Sequence, residues 1–165
     1  MANKASDKLS TPRNPDPSPE MAKHITDERS DLRRRILVAD DQPQILEVVA
    51  ALLEKSFDVV DLAPNGLAAL EASLKLEPDL VVLDISMPGM NGIEVARELR
   101  KGASSAKIVF LTVHEDSQIL ANCLSAGGLG YVVKELVDSD LIPAVYEALA
   151  GRVFVSRFSS EQTTP

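Results

Sequence analysis

Four short apolar runs in this 165-residue sequence each end on a residue suited to handling charge. Asp40-Asp41 follows Ile36-Leu37-Val38-Ala39, Asp84 follows Leu80-Val81-Val82-Leu83, Thr112 follows the run from Lys107 to Leu111, and Lys134 follows Gly130 to Val133. Taken singly, each has a plainer role: an Asp or Thr after a strand caps a helix or forms a turn, and a loop Lys is solvated. Taken together they describe one chemistry. Three carboxylates at one edge repel strongly unless a cation joins them. A hard divalent ion that takes oxygen ligands and keeps waters, Mg²⁺, suits Asp40, Asp41 and Asp84. Beside such an ion a carboxylate can attack phosphorus and form an acyl phosphate, while the metal neutralises the phosphoryl oxygens and holds the donor in line. In that chemistry Asp84 is the nucleophile. Lys134 supplies a point charge and Thr112 a hydroxyl for the oxygens of the transferred group.

These residues work together only if the chain brings them to one edge, and the pattern from Arg35 onward predicts that it does. Short apolar runs alternate with amphipathic stretches. Strands are expected at Ile36–Ala39, Phe57–Leu62, Leu80–Leu83, Lys107–Leu111 and Gly130–Val133. Helices are expected at Pro43–Lys55, Gly66–Leu76, about Gly92–Arg100, Asp116–Ala126 and Asp138–Ala150, with Pro near the start of the first and Pro143 in the opening turns of the last. Five β-α units with continuous apolar strands imply a parallel sheet covered by helices on both faces, wound by right-handed crossovers. In such a sheet ligands bind beyond the carboxyl ends of the strands, where the strand order reverses, and those ends carry the charged residues. Periodicity alone leaves the strand order open.

Composition narrows the functions. The net charge is -8, and the segment through Arg34 carries seven basic and six acidic residues, so the remainder carries -9. An acidic domain is poorly suited to nucleic acid or anionic membrane surfaces. No apolar run approaches the roughly 20 residues of a membrane span, and the N-terminus has no signal-peptide pattern, so a cytoplasmic protein is expected. The single Cys123 excludes an intrachain disulfide and reads as a small core residue of a helix. Residues 1–33 hold four of the ten prolines and almost no periodic apolar positions, the composition of a disordered tail. The Arg33-Arg34-Arg35 run reads as a solvated flank of the first strand. The expected division is a tail over 1–33, one domain over 34–158 and a C-terminal tail or truncated linker over 159–165.

The motifs Val38-Ala39-Asp40-Asp41, Leu83-Asp84-Ile85-Ser86-Met87-Pro88-Gly89-Met90-Asn91-Gly92, Leu111-Thr112-Val113-His114 and Gly130-Tyr131-Val132-Val133-Lys134 occur in that order. In this the stretch from about Arg35 to Phe158 resembles the receiver domain of two-component response regulators, of the NarL/FixJ-like type. The resemblance implies a flavodoxin-like doubly wound sheet of order 2-1-3-4-5. It implies direct Mg²⁺ ligation by Asp41 and Asp84, a role through water for Asp40, and a ligand from the Ser86 carbonyl. Thr112 and Tyr131 match the family's switch pair, in which the hydroxyl moves toward the phosphoryl group and the ring turns inward. Two positions depart from the common pattern. Glu135 stands where many receivers have a proline that favours a cis bond, and Val113 is larger than the Ala or Gly often found there, narrowing access for the donor. Ser86 and His114 occupy positions that tune hydrolysis in the family; hard Mg²⁺ argues against His114 as a ligand.

The resemblance further implies phosphoryl transfer from a sensor histidine kinase or phosphotransfer protein to Asp84, switching partner binding or homodimerisation through the fourth helix, fifth strand and fifth helix. Such a protein assists its own phosphorylation and dephosphorylation without being a turnover enzyme. About fifteen residues follow Ala150, too few for the helix-turn-helix output domain that this receiver type usually precedes. The expectation is a stand-alone receiver that binds no nucleic acid itself, or the N-terminal half of a DNA-binding transcription regulator cut at its linker. The intact Asp40, Asp41, Asp84, Thr112 and Lys134 set argues against a receiver-like adaptor that works without phosphorylation. A haloacid-dehalogenase-like phosphatase would need an acid two residues after Asp84, where Ser86 stands.

Overall fold

Along the first strand, β1 (Arg35–Ala39), successive side chains point to opposite faces, and Ile36, Leu37, Val38 and Ala39 are all fully buried. Both faces of the sheet therefore need cover. The computed structural model describes residues 33–158; the expected tails, 1–33 and 159–165, lie outside the described residues apart from Arg33. Within them the elements run β1, α1 (Pro43–Glu54), β2 (Asp58–Ala63), α2 (Gly66–Leu76), β3 (Leu80–Asp84), α3 (Gly92–Lys101), β4 (Lys107–Thr112), α4 (Ser117–Ser125), β5 (Gly130–Val133), α5 (Val137–Leu149) and a two-residue β6 (Phe154–Val155). The sheet is parallel, in the order β2-β1-β3-β4-β5-β6. This is the flavodoxin-like order implied by the resemblance, extended by a sixth strand that the sequence pattern does not announce.

The alternation within β1 sorts the core into two halves. Ile36 and Val38 join Leu46, Val49 and Leu53 of α1 and Leu141, Ala144 and Val145 of α5. Leu37 and Ala39 join Ala69 of α2, Val95, Ala96 and Leu99 of α3, and Cys123 of α4. The core is built mainly of Val, Leu, Ile and Ala, with Tyr131 and Phe110 its largest fully buried side chains, and burial pushes the Cys123 thiol up to about 12, consistent with an inert core residue. The sheet-edge strand β2 keeps Asp58 and Asp61 exposed, a composition that discourages edge-to-edge pairing.

Helix starts are fixed by side chains close in sequence. Asn91 accepts from the Glu94 N–H and Glu94 returns a carboxylate to the Asn91 N–H, a reciprocal cap on α3. Asn65 caps α2 through the Ala68 N–H, and Asp116 caps α4 through the N–H groups of Gln118 and Ile119. The last helix begins one residue earlier than expected. A 3₁₀ turn (Lys134–Leu136) runs directly into α5, which places Pro143 at the seventh helical position. The first four N–H groups of a helix have no intrahelical partner anyway; Pro143 lies beyond them, so its missing N–H removes the bond that would reach Ser139.

One close approach positions the site. A Cβ on Gly92 would lie 2.2 Å from the Asp84 carbonyl oxygen, and the Gly92 N–H donates to the Ile85 carbonyl at 3.0 Å. Only a hydrogen fits there, so α3 starts hard against the end of β3. Gly92→Ala is therefore expected to destabilise the fold by about 1–3 kcal/mol through forced backbone displacement, read as a lower urea midpoint with an unchanged slope.

Candidate functional site

Parallel pairing brings the chemistry-bearing residues together. Ala39 is registered with Leu83, Asp84 with Leu111, and Thr112 with Val133, so Asp40, Asp84, Thr112 and Lys134 emerge from the same edge of four strands. Asp40 and Asp84 are buried, at 0% and 3% exposure, while Asp41 is exposed. One carboxylate oxygen from each of the three can be chosen so that all lie within 4.8 Å of one another.

Lys134 binds this cluster from below the surface. Its Nζ lies 2.8 Å from Asp40 Oδ2 and 3.3 Å from Asp84 Oδ1. The other Asp40 oxygen, Oδ1, accepts the Gln42 N–H at 2.9 Å and so shapes the turn into α1, whose N-cap Gln42 offers no side chain of its own. Asp84 Oδ1 also accepts the Ser86 N–H at 3.2 Å. Burial, then the charge of Asp40, raises the Asp84 carboxyl from its ordinary value of 3.8 to about 6, against the opposing pull of Lys134 and the Ser86 N–H.

Three carboxylates and one ammonium leave two negative charges. Asp40 Oδ2 is buried and receives no well-angled hydrogen bond, although Lys134 stands at ion-pair distance. A buried carboxylate oxygen without a hydrogen bond, next to two further carboxylates, fits a divalent cation with oxygen ligands. Receiver domains carry such an acidic cluster, and this one is compatible with Mg²⁺.

The two residues of the expected switch pair meet through His114. Tyr131 has 0% exposure, so its ring lies inside. The phenol donates to the His114 carbonyl at 2.7 Å, and burial pushes its pKa above the ordinary phenol value. The Thr112 hydroxyl accepts the His114 N–H at 2.9 Å. His114 thus joins the two through its backbone, a role that no side-chain motif signals. Ser86 and Val113 are exposed, so Val113 stands at the surface beside Thr112 and forms no part of the core. Among the described residues no peptide bond is cis; Glu135 follows Lys134 in an ordinary trans 3₁₀ turn.

Sequence reasoning missed Ser156, Asp140 and Phe158. Ser156 Oγ accepts the Val133 N–H at 3.2 Å and donates to Asp140 Oδ2 at 2.6 Å. Phe158 meets the Tyr131 ring edge-on with centroids 5.9 Å apart. These contacts follow from β6 and have no local pattern of their own.

Comparison with known proteins agrees with this geometry. The response regulator receiver domain family matches residues 36–146. The nitrate/nitrite response regulator protein NarL of Escherichia coli (strain K12) is 37% identical over 123 residues, 73% of this chain and 57% of that protein. The transcriptional regulatory protein PdtaR of Mycobacterium tuberculosis (strain H37Rv) is 34% identical over 140 residues, 84% of this chain and 68% of that protein. The chain thus spans little more than half the length of NarL. Among solved structures, the NarL signal receiver domain from Mycobacterium tuberculosis superposes with a TM-score of 0.70 at 32% identity, over 73% of this chain and 98% of that one. The isolated REC domain of RcsB from Salmonella enterica serovar Typhimurium, solved with phosphomimetic BeF3-, gives 0.71 at 26% identity, over 78% and 97%. The family match over most of the described residues, relatives well above 30% identity and the shared sheet order show that this chain belongs to the response regulator receiver domain family, of the NarL/FixJ type.

Proposed function

We propose that this receiver accepts a phosphoryl group on Asp84 and thereby switches its binding to a partner or to a second copy of itself. The observation that carries the reading is the contact of one ammonium, on a Lys134 side chain only 10% exposed, with two buried carboxylates, Asp40 and Asp84, at the carboxyl edge of the sheet. A carboxylate oxygen of Asp84 attacks phosphorus, the bond from phosphorus to a donor nitrogen breaks, and the electron pair stays on that imidazole nitrogen, which takes up a proton. The donor is a histidine kinase or phosphotransfer protein.

Mg²⁺ would be held by Asp41, Asp84 and the Ser86 carbonyl directly and by Asp40 through water, and it supplies charge neutralisation of the phosphoryl oxygens. Lys134 and the Thr112 hydroxyl bind the oxygens of the transferred group. Thr112 and Tyr131 carry the change outward. The working unit is residues 34–158, acting in the cytoplasm as a switch and not as a turnover enzyme. The surface expected for a homodimer, the fourth helix, fifth strand and fifth helix, has β6 along it, because β6 pairs with the outer edge of β5 and β5 itself is wholly buried. A second reading, that this receiver governs a transcriptional output, is favoured by the names of its relatives, NarL and PdtaR among them, which are response and transcriptional regulators.

Incubated with Mg²⁺ and a small phosphodonor, the protein is expected to gain the mass of one phosphoryl group, and Asp84→Ala none. Lys134→Ala should slow the reaction by about 10²-fold, the cost of removing one preorganised charge. Phosphorylation of Asp84→Ala at an undiminished rate would refute the assignment.

Titration of Asp84 gives an independent check. Its folded pKa of about 6 lies above the unfolded value near 3.8, so the native state binds the extra proton. Without divalent cations, the contribution of this group falls as pH rises through that window, a loss of about 1–3 kcal/mol by pH 7. In EDTA, Asp84→Asn should therefore melt above the parent protein at pH 7, with the gap closing toward pH 4. Equal melting points across the range would count against the buried charge.

A further inference from the structure

We propose that the C-terminal segment from Arg152 to Phe158 is a strap whose docking on β5 is coupled to the occupancy of Asp84, and that docking favours the phosphorylated state. This rests on the phosphoacceptor reading of Asp84 and adds the element that responds to it.

The strap is a built feature. Gly151, at φ +78°, closes α5: its N–H reaches the Ala148 carbonyl and the Arg152 N–H reaches Glu147. The Arg152 guanidinium then grips the Glu147 carboxylate at 2.6 and 3.1 Å. Beyond this turn the Phe154 N–H donates to Leu129 and the Ser156 N–H to Tyr131, each at 2.8 Å. Phe154 packs into the core half under α5 and Phe158 into the opposite half, so the strap is anchored on both faces of the sheet.

Two of its residues touch the machinery of the site. Ser156 Oγ takes the Val133 N–H and is itself held by Asp140, fixing the backbone one residue before Lys134, whose ammonium bridges Asp40 and Asp84. Phe158 lies edge-on against the buried Tyr131 ring, whose hydroxyl binds the same His114 backbone that holds Thr112. A phosphoryl group on Asp84 draws on Lys134 and on the inward ring; a docked strap has already restricted both, so less ordering remains to be done when the group arrives. The coupling is reciprocal: whatever factor docking adds to phosphoryl affinity, the phosphoryl group adds to docking.

Hydrogen exchange on the full 165-residue chain, with Mg²⁺ alone and with Mg²⁺ plus beryllofluoride, tests this. The amides of Phe154 and Ser156 are expected to exchange at least about fivefold more slowly with beryllofluoride, the lower end of ordinary coupling factors. Ser156→Ala and Phe158→Ala should each weaken beryllofluoride affinity, measured on protein shown folded by its urea transition. If beryllofluoride binds and the two strap amides exchange at unchanged or faster rates, the strap proposal is overturned while the Asp84 reading stands. If beryllofluoride fails to bind the parent protein, or binds Asp84→Asn equally well, the phosphoacceptor reading falls and the strap proposal with it. The parent protein alone decides these outcomes should either variant fail to fold.

Discussion

Two carboxylates buried side by side, with a single ammonium between them, set the terms for the rest of the structure. Asp40 and Asp84 sit almost wholly out of water, where like charges a few ångströms apart repel by a few kcal/mol even at the screened dielectric of real proteins. Lys134 offsets part of this, and the Asp84 carboxyl is raised first by burial and then by the Asp40 charge. Nothing in packing asks for such a cluster, because apolar residues of similar volume at the strand ends would be at least as stable. The arrangement makes sense as a site that keeps unneutralised charge available for a cation and an electrophile. The surrounding structure is what holds it in place.

That holding is done by backbone. Asp40 Oδ1 binds the Gln42 N–H and shapes the start of α1; Ser86 donates its N–H to Asp84; Gly92 lets α3 begin in contact with the Asp84 carbonyl. Each carboxylate is thus tied to the beginning of the segment that follows its strand, so a change in charge at the cluster bears directly on loop conformation. Tyr131 lies inside, held there by the edge of the Phe158 ring and by the His114 carbonyl that its hydroxyl reaches, so the segment after α5 and the loop after β4 both fix its position.

The legible parts of the sequence were those with continuous local signals. Buried parallel strands read as unbroken apolar runs, and a charged residue directly after such a run falls at the carboxyl edge of the sheet by construction. The placement of Asp40, Asp84, Thr112 and Lys134 at that edge is therefore legible from pattern alone, and the strand order from the resemblance. The parts that were not legible lacked such a signal. β6 is two residues long and is held by an edge that only the folded sheet provides. The 3₁₀ turn that leads into α5 has no such signal either, whereas the helix itself is legible despite Pro143, whose cost of about 3 kcal/mol in a helix interior is opposed by the burial of Leu141, Ala144, Val145 and Ala148 on both sides of it. The pair Ala150-Gly151, a helix stop in which glycine reverses the chain, was the available clue that the segment after α5 turns back toward the sheet.

The charge of the domain constrains how a signal can leave the site. With the described domain already strongly acidic, one further phosphoryl group alters its distant field little, since exposed charges are screened over about 8 Å at physiological salt. Within the buried cluster the same charge is screened far less and acts at contact distance on Lys134. A mechanism based on steering a partner by the added field is therefore weak, whereas one that repositions hydrogen-bonded elements is strong. From Lys134 the bonded path is short: Val133 is its chain neighbour, Val133 binds Ser156, and Ser156 binds Asp140 on α5. From Thr112 it passes through the His114 backbone to Tyr131 and on to Phe158. Both paths run through the segment after α5, one of them on to Asp140 of α5 itself, so the surface around β6 and α5 is where a charge hidden at the sheet edge can be felt by another molecule.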